Sequence, residues 1–104
     1  MPIVVVATMT AKPESVDAVR DACKQAMETV HSEPGCELYS LNEADGTFVF
    51  IEQWADSDAL KAHSAAPSVA TLFGTIGEHL DGAPDITMLQ PVVAGDPAKG
   101  QLRP

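Results

Sequence analysis

The stretch "CELYSLNEADGTFVFIEQWADSDALKAH", Cys36 to His63, changes its hydrophobic period once, and that change decides the fold. From Cys36 the residues alternate: Cys36, Leu38 and Ser40 share one face, Glu37, Tyr39 and Leu41 the other. "ADG", Ala44 to Gly46, is a turn signal, and "TFVFIEQW" returns as a second strand, so the two runs predict a β-hairpin. Along the return strand Phe48, Phe50, Glu52 and Trp54 lie on one face; Thr47, Val49, Ile51 and Gln53 take the other. After Asp56, a natural N-cap, the period becomes helical, and Ala59, Leu60 and His63 share a face.

Working outward, "IVVVATMTA" (Ile3 to Ala11) is continuous and β-branched, as a strand covered on both faces should be. A helix follows. Pro13 suits its first position, and Glu14 and Asp17 suit the positive end of its dipole. Val16, Val19, Cys23, Ala26, Met27 and Val30 form its apolar stripe. "EPG" (Glu33 to Gly35) stops it, with Gly35 able to turn left-handed. Beyond the central stretch, Val69, Leu72, Phe73, Ile76 and Leu80 predict a second long helix, weakened by Gly74 and Gly77 and ended by Gly82. "DITMLQPV" is the last strand, and residues 93–104 are a tail after a domain spanning 1–92. The order β-α-β-β-α-β predicts an α+β, ferredoxin-like fold, a four-stranded antiparallel sheet with helices on one face. The first and third strands are apolar on both faces and the helices cover one. A second subunit is the expected cover, giving a homodimer with sheets packed together, and the tail either frays or lies across that partner.

Bulk composition narrows the function classes. The 104 residues carry 15 acidic and 6 basic side chains, a formal charge of -9, which repels nucleic acid and anionic membrane surfaces. No apolar run approaches the ~20 residues of a spanning helix, and no leader pattern is visible. A cytoplasmic protein with reduced Cys23 and Cys36 is expected, both thiols serving as small buried hydrophobes. Gly-rich phosphate loops, H-E-x-x-H, C-x-x-C and G-x-S-x-G are missing, and His31, His63 and His79 lie on separate segments. No cofactor or metal is announced.

Glu52 is the anomaly, a carboxylate inside an apolar strand two residues before the only tryptophan. If the turn at "ADS" folds the short helix over the strand end, Trp54 and His63 line one space between sheet and helices. Two readings of these residues are open. In one, Trp54 fills the core, His63 bonds a backbone carbonyl and Glu52 is a structural ion pair. In the other they form a pocket, and a desolvated Glu52 has a raised pKa and accepts protons near neutral pH.

"EPGCELY", "FVFIEQWADSDALKAH" and "ITMLQP" together resemble the antibiotic biosynthesis monooxygenase (ABM) family, and "IEQW", "ALKAH" and "LQP" are most similar to its small quinol monooxygenases. The resemblance runs from about Ile3 to Val92. It implies a ferredoxin-like fold, a dimer joined through its sheets, and insertion of oxygen from O2 into electron-rich phenols, quinols or anthrones without flavin, haem or metal. It assigns Trp54 as wall or donor, His63 and Glu52 as acid and base, Phe50, Phe73, Leu72 and Met88 as apolar lining, and Tyr39 to the pocket or the dimer interface. Departures narrow it. Of the asparagine, tryptophan and tyrosine of the anthrone-oxidising members, only Trp54 has an obvious counterpart. The first strand lacks the asparagine, and "VATLFG" the histidine, of the haem-degrading members. Because the family also holds an isomerase, a proton-transfer enzyme using the same pocket and a non-catalytic ligand-binding dimer are the alternatives.

Overall fold

Strand β1 (Ile3–Thr10) is one of the two inner strands of the sheet. A single 3-10 turn starting at Pro13 leads into helix α1 (Val16–His31). Strands β2 (Cys36–Ala44) and β3 (Thr47–Trp54) form the hairpin, helices α2 (Ser57–Ser64) and α3 (Pro67–Ile76) follow, and strand β4 (Asp85–Leu89) closes the sheet in the order β2-β3-β1-β4. All neighbouring strands are antiparallel, which gives the ferredoxin-like βαββαβ architecture. The computed structural model describes all residues, 1–104. No helix is long and apolar enough to cross a membrane.

Local chemistry accounts for each junction. Asp45 and Gly46 both have positive φ, 48° and 82°, the signature of a two-residue type I′ hairpin turn. Asp56 caps α2: its Oδ1 accepts from the Ala59 N–H at 2.8 Å. Pro67 opens α3 from the first helical position. The weakness expected at the glycines of the second long helix falls at Gly77, where the α-helix gives way to a 3-10 turn. One expected alternation is corrected. The register of β2 shifts between Cys36 and Leu38, so Cys36 pairs with Trp54 and packs against the core, while Leu38 pairs with Gln53 on the opposite face.

Register also sorts the two sheet faces. Val5, Ala7 and Met9 align with Glu52, Phe50 and Phe48 on the helix-covered face. There Val19, Cys23 and Val30 of α1 and Leu72 and Ile76 of α3 complete the core. The other face carries Val4, Val6, Val49, Ile51, Leu38 and Leu89, and no helix covers it. The tail returns to this face, where the Arg103 carbonyl accepts from Gln53 Nε2 at 3.1 Å. Val92 and Val93 stay exposed.

Gly35 carries the sharpest steric demand. Its φ is +81°, and a Cβ there would lie 2.5 Å from the Ala59 Cβ. The close approach lets α2 sit against the turn that follows α1. Gly35→Ala combines a left-handed conformation with overpacking, and is expected to cost about 2–4 kcal/mol in urea denaturation. A loss below about 1 kcal/mol would show that α2 is not seated on this glycine.

Candidate active site

The site starts from strand periodicity. Because β3 alternates, Glu52 points to the covered face together with Phe50 and Trp54, and the register sets it between Tyr39 of β2 and Val5 of β1. Ala55 and Asp56 turn the chain back, and α2 lays His63 over the strand end. The His63 ring stacks on the Trp54 indole at 4.3 Å between centroids, 29° from parallel. Tyr39 stacks on Phe50 at 4.8 Å and meets His63 edge-on at 5.6 Å.

Between these side chains and the helices lies a cavity of about 320 Å³, lined by 14 residues, of which 11 are hydrophobic, so only a few polar groups can orient a ligand. Glu52 and His63 line it, as do Tyr39, Phe50, Leu72, Phe73 and Met88. Val5, Ala7 and Met9 form its floor, and the exposed Ile86 and Met88 of β4 stand at its mouth. No lysine or arginine lines it. Trp54, expected as a pocket wall, is instead fully buried behind His63 and is not part of the lining. Its indole reaches the cavity through another residue: Nε1–H donates to Glu52 Oε1 at 2.9 Å.

Glu52 is 5% exposed, yet its carboxylate has only that one hydrogen bond. His63 Nε2 stands 3.9 Å from the same oxygen. Burial raises the Glu52 pKa above the ordinary carboxylate value; the Trp54 hydrogen bond and the nearby His63 offset part of this, and Glu33 adds to it. Desolvation also pushes the Tyr39 phenol upward, so it stays a neutral O–H donor through physiological pH. Cys23 is fully buried, its thiol pushed up to about 11 by desolvation, which leaves it inert.

One residue of the constellation escaped the sequence reading. Glu33, assigned only to the helix stop, contacts His63 Nδ1 through both oxygens, at 3.1 and 3.3 Å. Thirty positions separate the two, and no motif spacing links them. The other histidines lie elsewhere. His31 Nε2 bonds the Tyr39 carbonyl at 2.8 Å. His79 Nδ1 meets Ser15 Oγ at 2.9 Å and its Nε2 lies 3.5 Å from Glu78. That serine, histidine and glutamate have the order of a hydrolytic triad, but Ser15 is buried and does not line the cavity described above, so it presents no nucleophile there. No group of three or more His, Cys, Asp or Glu side chains is placed to hold a metal ion.

The strand order and helix placement define an α+β, ferredoxin-like fold with an apolar pocket between sheet and helices, and known proteins share that fold. The profile of the family "Antibiotic biosynthesis monooxygenase" matches residues 2–73, and the chain belongs to that family. A Mycobacterium tuberculosis protein named "Putative monooxygenase Rv0793" is 27% identical over 93 residues, covering 88% of this chain and 92% of that one. Its solved structure superposes with a TM-score of 0.86 over 92% of this chain and all of the other. A Caulobacter crescentus structure described as an antibiotic biosynthesis monooxygenase of that same provisional kind is 29% identical with a TM-score of 0.82, over 88% of this chain and 90% of that one. A further structure described as an antibiotic biosynthesis monooxygenase is 31% identical with a TM-score of 0.82, over 86% of this chain and 98% of that one.

The raised pKa of Glu52 has a consequence for stability. Between the ordinary value near 4.5 and the raised value in the fold, the native state holds a proton that the unfolded state has released. Stability therefore falls as pH rises through that window. Glu52→Gln is nearly isosteric, still accepts from Trp54 and never ionises. Its stability relative to wild type is expected to increase with pH from about pH 4 and then level off. A pH-independent difference in urea denaturation would mean that Glu52 titrates normally.

Proposed function

We infer that the protein is a cofactor-independent monooxygenase that oxidises a small, neutral phenol or quinol with O2, and that it works as a cytoplasmic homodimer joined through the sheet face that carries no helix, beside the returning tail. The observation that carries this reading is the Glu52 carboxylate, buried at the wall of an apolar cavity beside a single indole N–H and one imidazole. A cavity of about 320 Å³ is at the small end of ligand sites, which suits one or two fused rings. Without a cationic side chain in the lining, it favours a ligand that enters uncharged.

The chemistry then needs little from the protein. Glu52 takes the proton of the bound hydroxyl, and the anion left behind is a strong reductant. It gives an electron to O2, and the two radicals combine at a ring carbon. Loss of water leaves a hydroxyquinone, so a quinol and O2 yield a hydroxyquinone and H2O with no external reductant. Tyr39, held protonated, donates a hydrogen bond to the anion. The apolar walls exclude water from the radical pair. For the dimer, the support is the apolar face formed by Val4, Val6, Val49, Ile51 and Leu89, which no helix covers. Sedimentation equilibrium is expected to give twice the monomer mass at micromolar concentration, and a monomer would contradict this.

Oxygen uptake on adding a panel of reduced quinols and phenols, without metal or flavin, tests the reaction. The expected result is one O2 consumed per hydroxyquinone formed from a quinol, or per quinone formed from a phenol, and a loss of about 10²–10⁴-fold in Glu52→Gln. Trp54→Phe deletes the N–H that lowers the Glu52 pKa, so the limb of the pH–rate profile that reports Glu52 is expected to move to higher pH, with about 1 kcal/mol of stability lost. His63→Gln is expected to lower turnover while the fold holds. An isomerised product without O2 uptake would assign the pocket to proton transfer, and saturable binding without product would assign it to ligand binding alone.

A further inference from the structure

His63 stands between two carboxylates that reach its ring from opposite sides. Glu33, in the turn after α1, faces Nδ1, and Glu52, in β3, faces Nε2 at 3.9 Å. A carboxylate oxygen accepts hydrogen bonds, so the contact at 3.1 Å is read with the proton on Nδ1. That leaves Nε2 as the basic atom, directed at Glu52 and the cavity. The surroundings hold this arrangement firmly. Trp54 stacks on one side of the ring, Tyr39 meets it edge-on, and Ser68 Oγ of α3 donates to Glu33 Oε2 at 3.4 Å. The histidine side chain is 9% exposed and the Glu33 side chain 15%. The other titratable groups nearby are Glu52 and Tyr39, already described, and Cys36, whose thiol feels both carboxylates.

We propose that Glu33 is a positioning residue that fixes His63 in the Nδ1–H tautomer, so that Nε2 receives the proton which Glu52 takes from the substrate. The proposal rests on the phenol-oxidising reading of the cavity. The proton moves from the substrate oxygen to Glu52, and from Glu52 Oε1 to His63 Nε2. Glu52 returns to the ionised form, and the imidazolium is held between two anions while the substrate reacts with O2. The 3.9 Å gap is of the kind that tightens to a hydrogen bond when a ligand fills a site. No group changes oxidation state in this transfer, and the proton leaves with the water formed from O2. A purely structural Glu33 would brace α2 against the turn after α1 but would have no reason to govern which ring nitrogen carries the proton.

Nitrogen-15 NMR of the histidine ring separates these roles without relying on turnover. In the wild-type protein, neutral His63 is expected to show a protonated Nδ1 and an unprotonated Nε2. Glu33→Gln keeps an oxygen that accepts from Nδ1–H, so the tautomer is expected to persist. Glu33→Met, similar in length, has no such acceptor and is expected to release the ring to the Nε2–H form. Circular dichroism and urea denaturation confirm that both variants fold, and if Glu33→Met does not, the wild-type and Glu33→Gln spectra still decide. An Nε2–H tautomer in the wild type overturns the proposal, as does an unchanged Nδ1–H tautomer in folded Glu33→Met. In the oxygen-uptake assay, Glu33→Met is expected to lower kcat about tenfold or more with KM nearly constant, and Glu33→Gln to recover part of the loss. Equal kcat in all three proteins also overturns it. If no phenol or quinol is oxidised, the functional reading fails, while the tautomer measurement still judges the placement of the proton.

Discussion

The hydrogen bond from the Trp54 indole to Glu52 joins the core to the cavity. Strand alternation alone would put a hydrophobic residue at position 52, between Phe50 and Trp54 on the covered face. A carboxylate there loses its water, and an unpartnered one would cost several kcal/mol. The fold provides one N–H, at 2.9 Å, and one imidazole edge, at 3.9 Å. This is enough to keep the group inside the protein, but not enough to hold its pKa at the ordinary value. The result is a carboxylate with a raised pKa at the wall of an apolar cavity. Each neighbouring feature supports it: the Asp56 cap starts α2 at the position that brings His63 over Trp54, and the small Gly35 lets α2 approach closely enough.

The fold was legible because its signals are local and repeated. The Asp45–Gly46 turn, the stripe of α1 and the alternation of β3 each point to the same architecture. Where the reading slipped, tertiary contacts had decided the outcome. The register shift near Cys36 leaves no mark in the sequence, since a bulge at that point preserves an apolar residue on either face. Most of the pocket was also readable: Tyr39, Phe50, Glu52, His63, Leu72, Phe73 and Met88 all line it. Trp54 was misplaced by one layer. Period two gives the face on which a side chain lies, but not whether a helix will lie on top of it. Glu33 was missed for a different reason. Its neighbours in sequence, Pro34 and Gly35, explain it fully as a helix stop, and its meeting with His63 depends on how α2 packs.

Membership of the antibiotic biosynthesis monooxygenase family accounts for the frame and leaves the reaction to the side chains. An apolar cavity with one stranded carboxylate suits a substrate that arrives neutral and becomes reactive on losing a proton. In the phenol-oxidising reading proposed above, such a substrate carries its own electrons, and the protein's task would be to take a proton and keep water away. The same frame with a cation in the lining would select anions instead. Here no lysine or arginine faces the cavity.

The central claim is that Glu52 is a desolvated base, and its carboxyl group can be watched directly. Carbon-13 NMR of glutamate-labelled protein, with Glu52 assigned by comparison with Glu52→Gln, follows its titration. The account predicts a midpoint above the ordinary value near 4.5, and a further rise when Trp54 is replaced by phenylalanine. A Glu52 that titrates at or below the ordinary value, unmoved by the loss of the indole N–H, would contradict it.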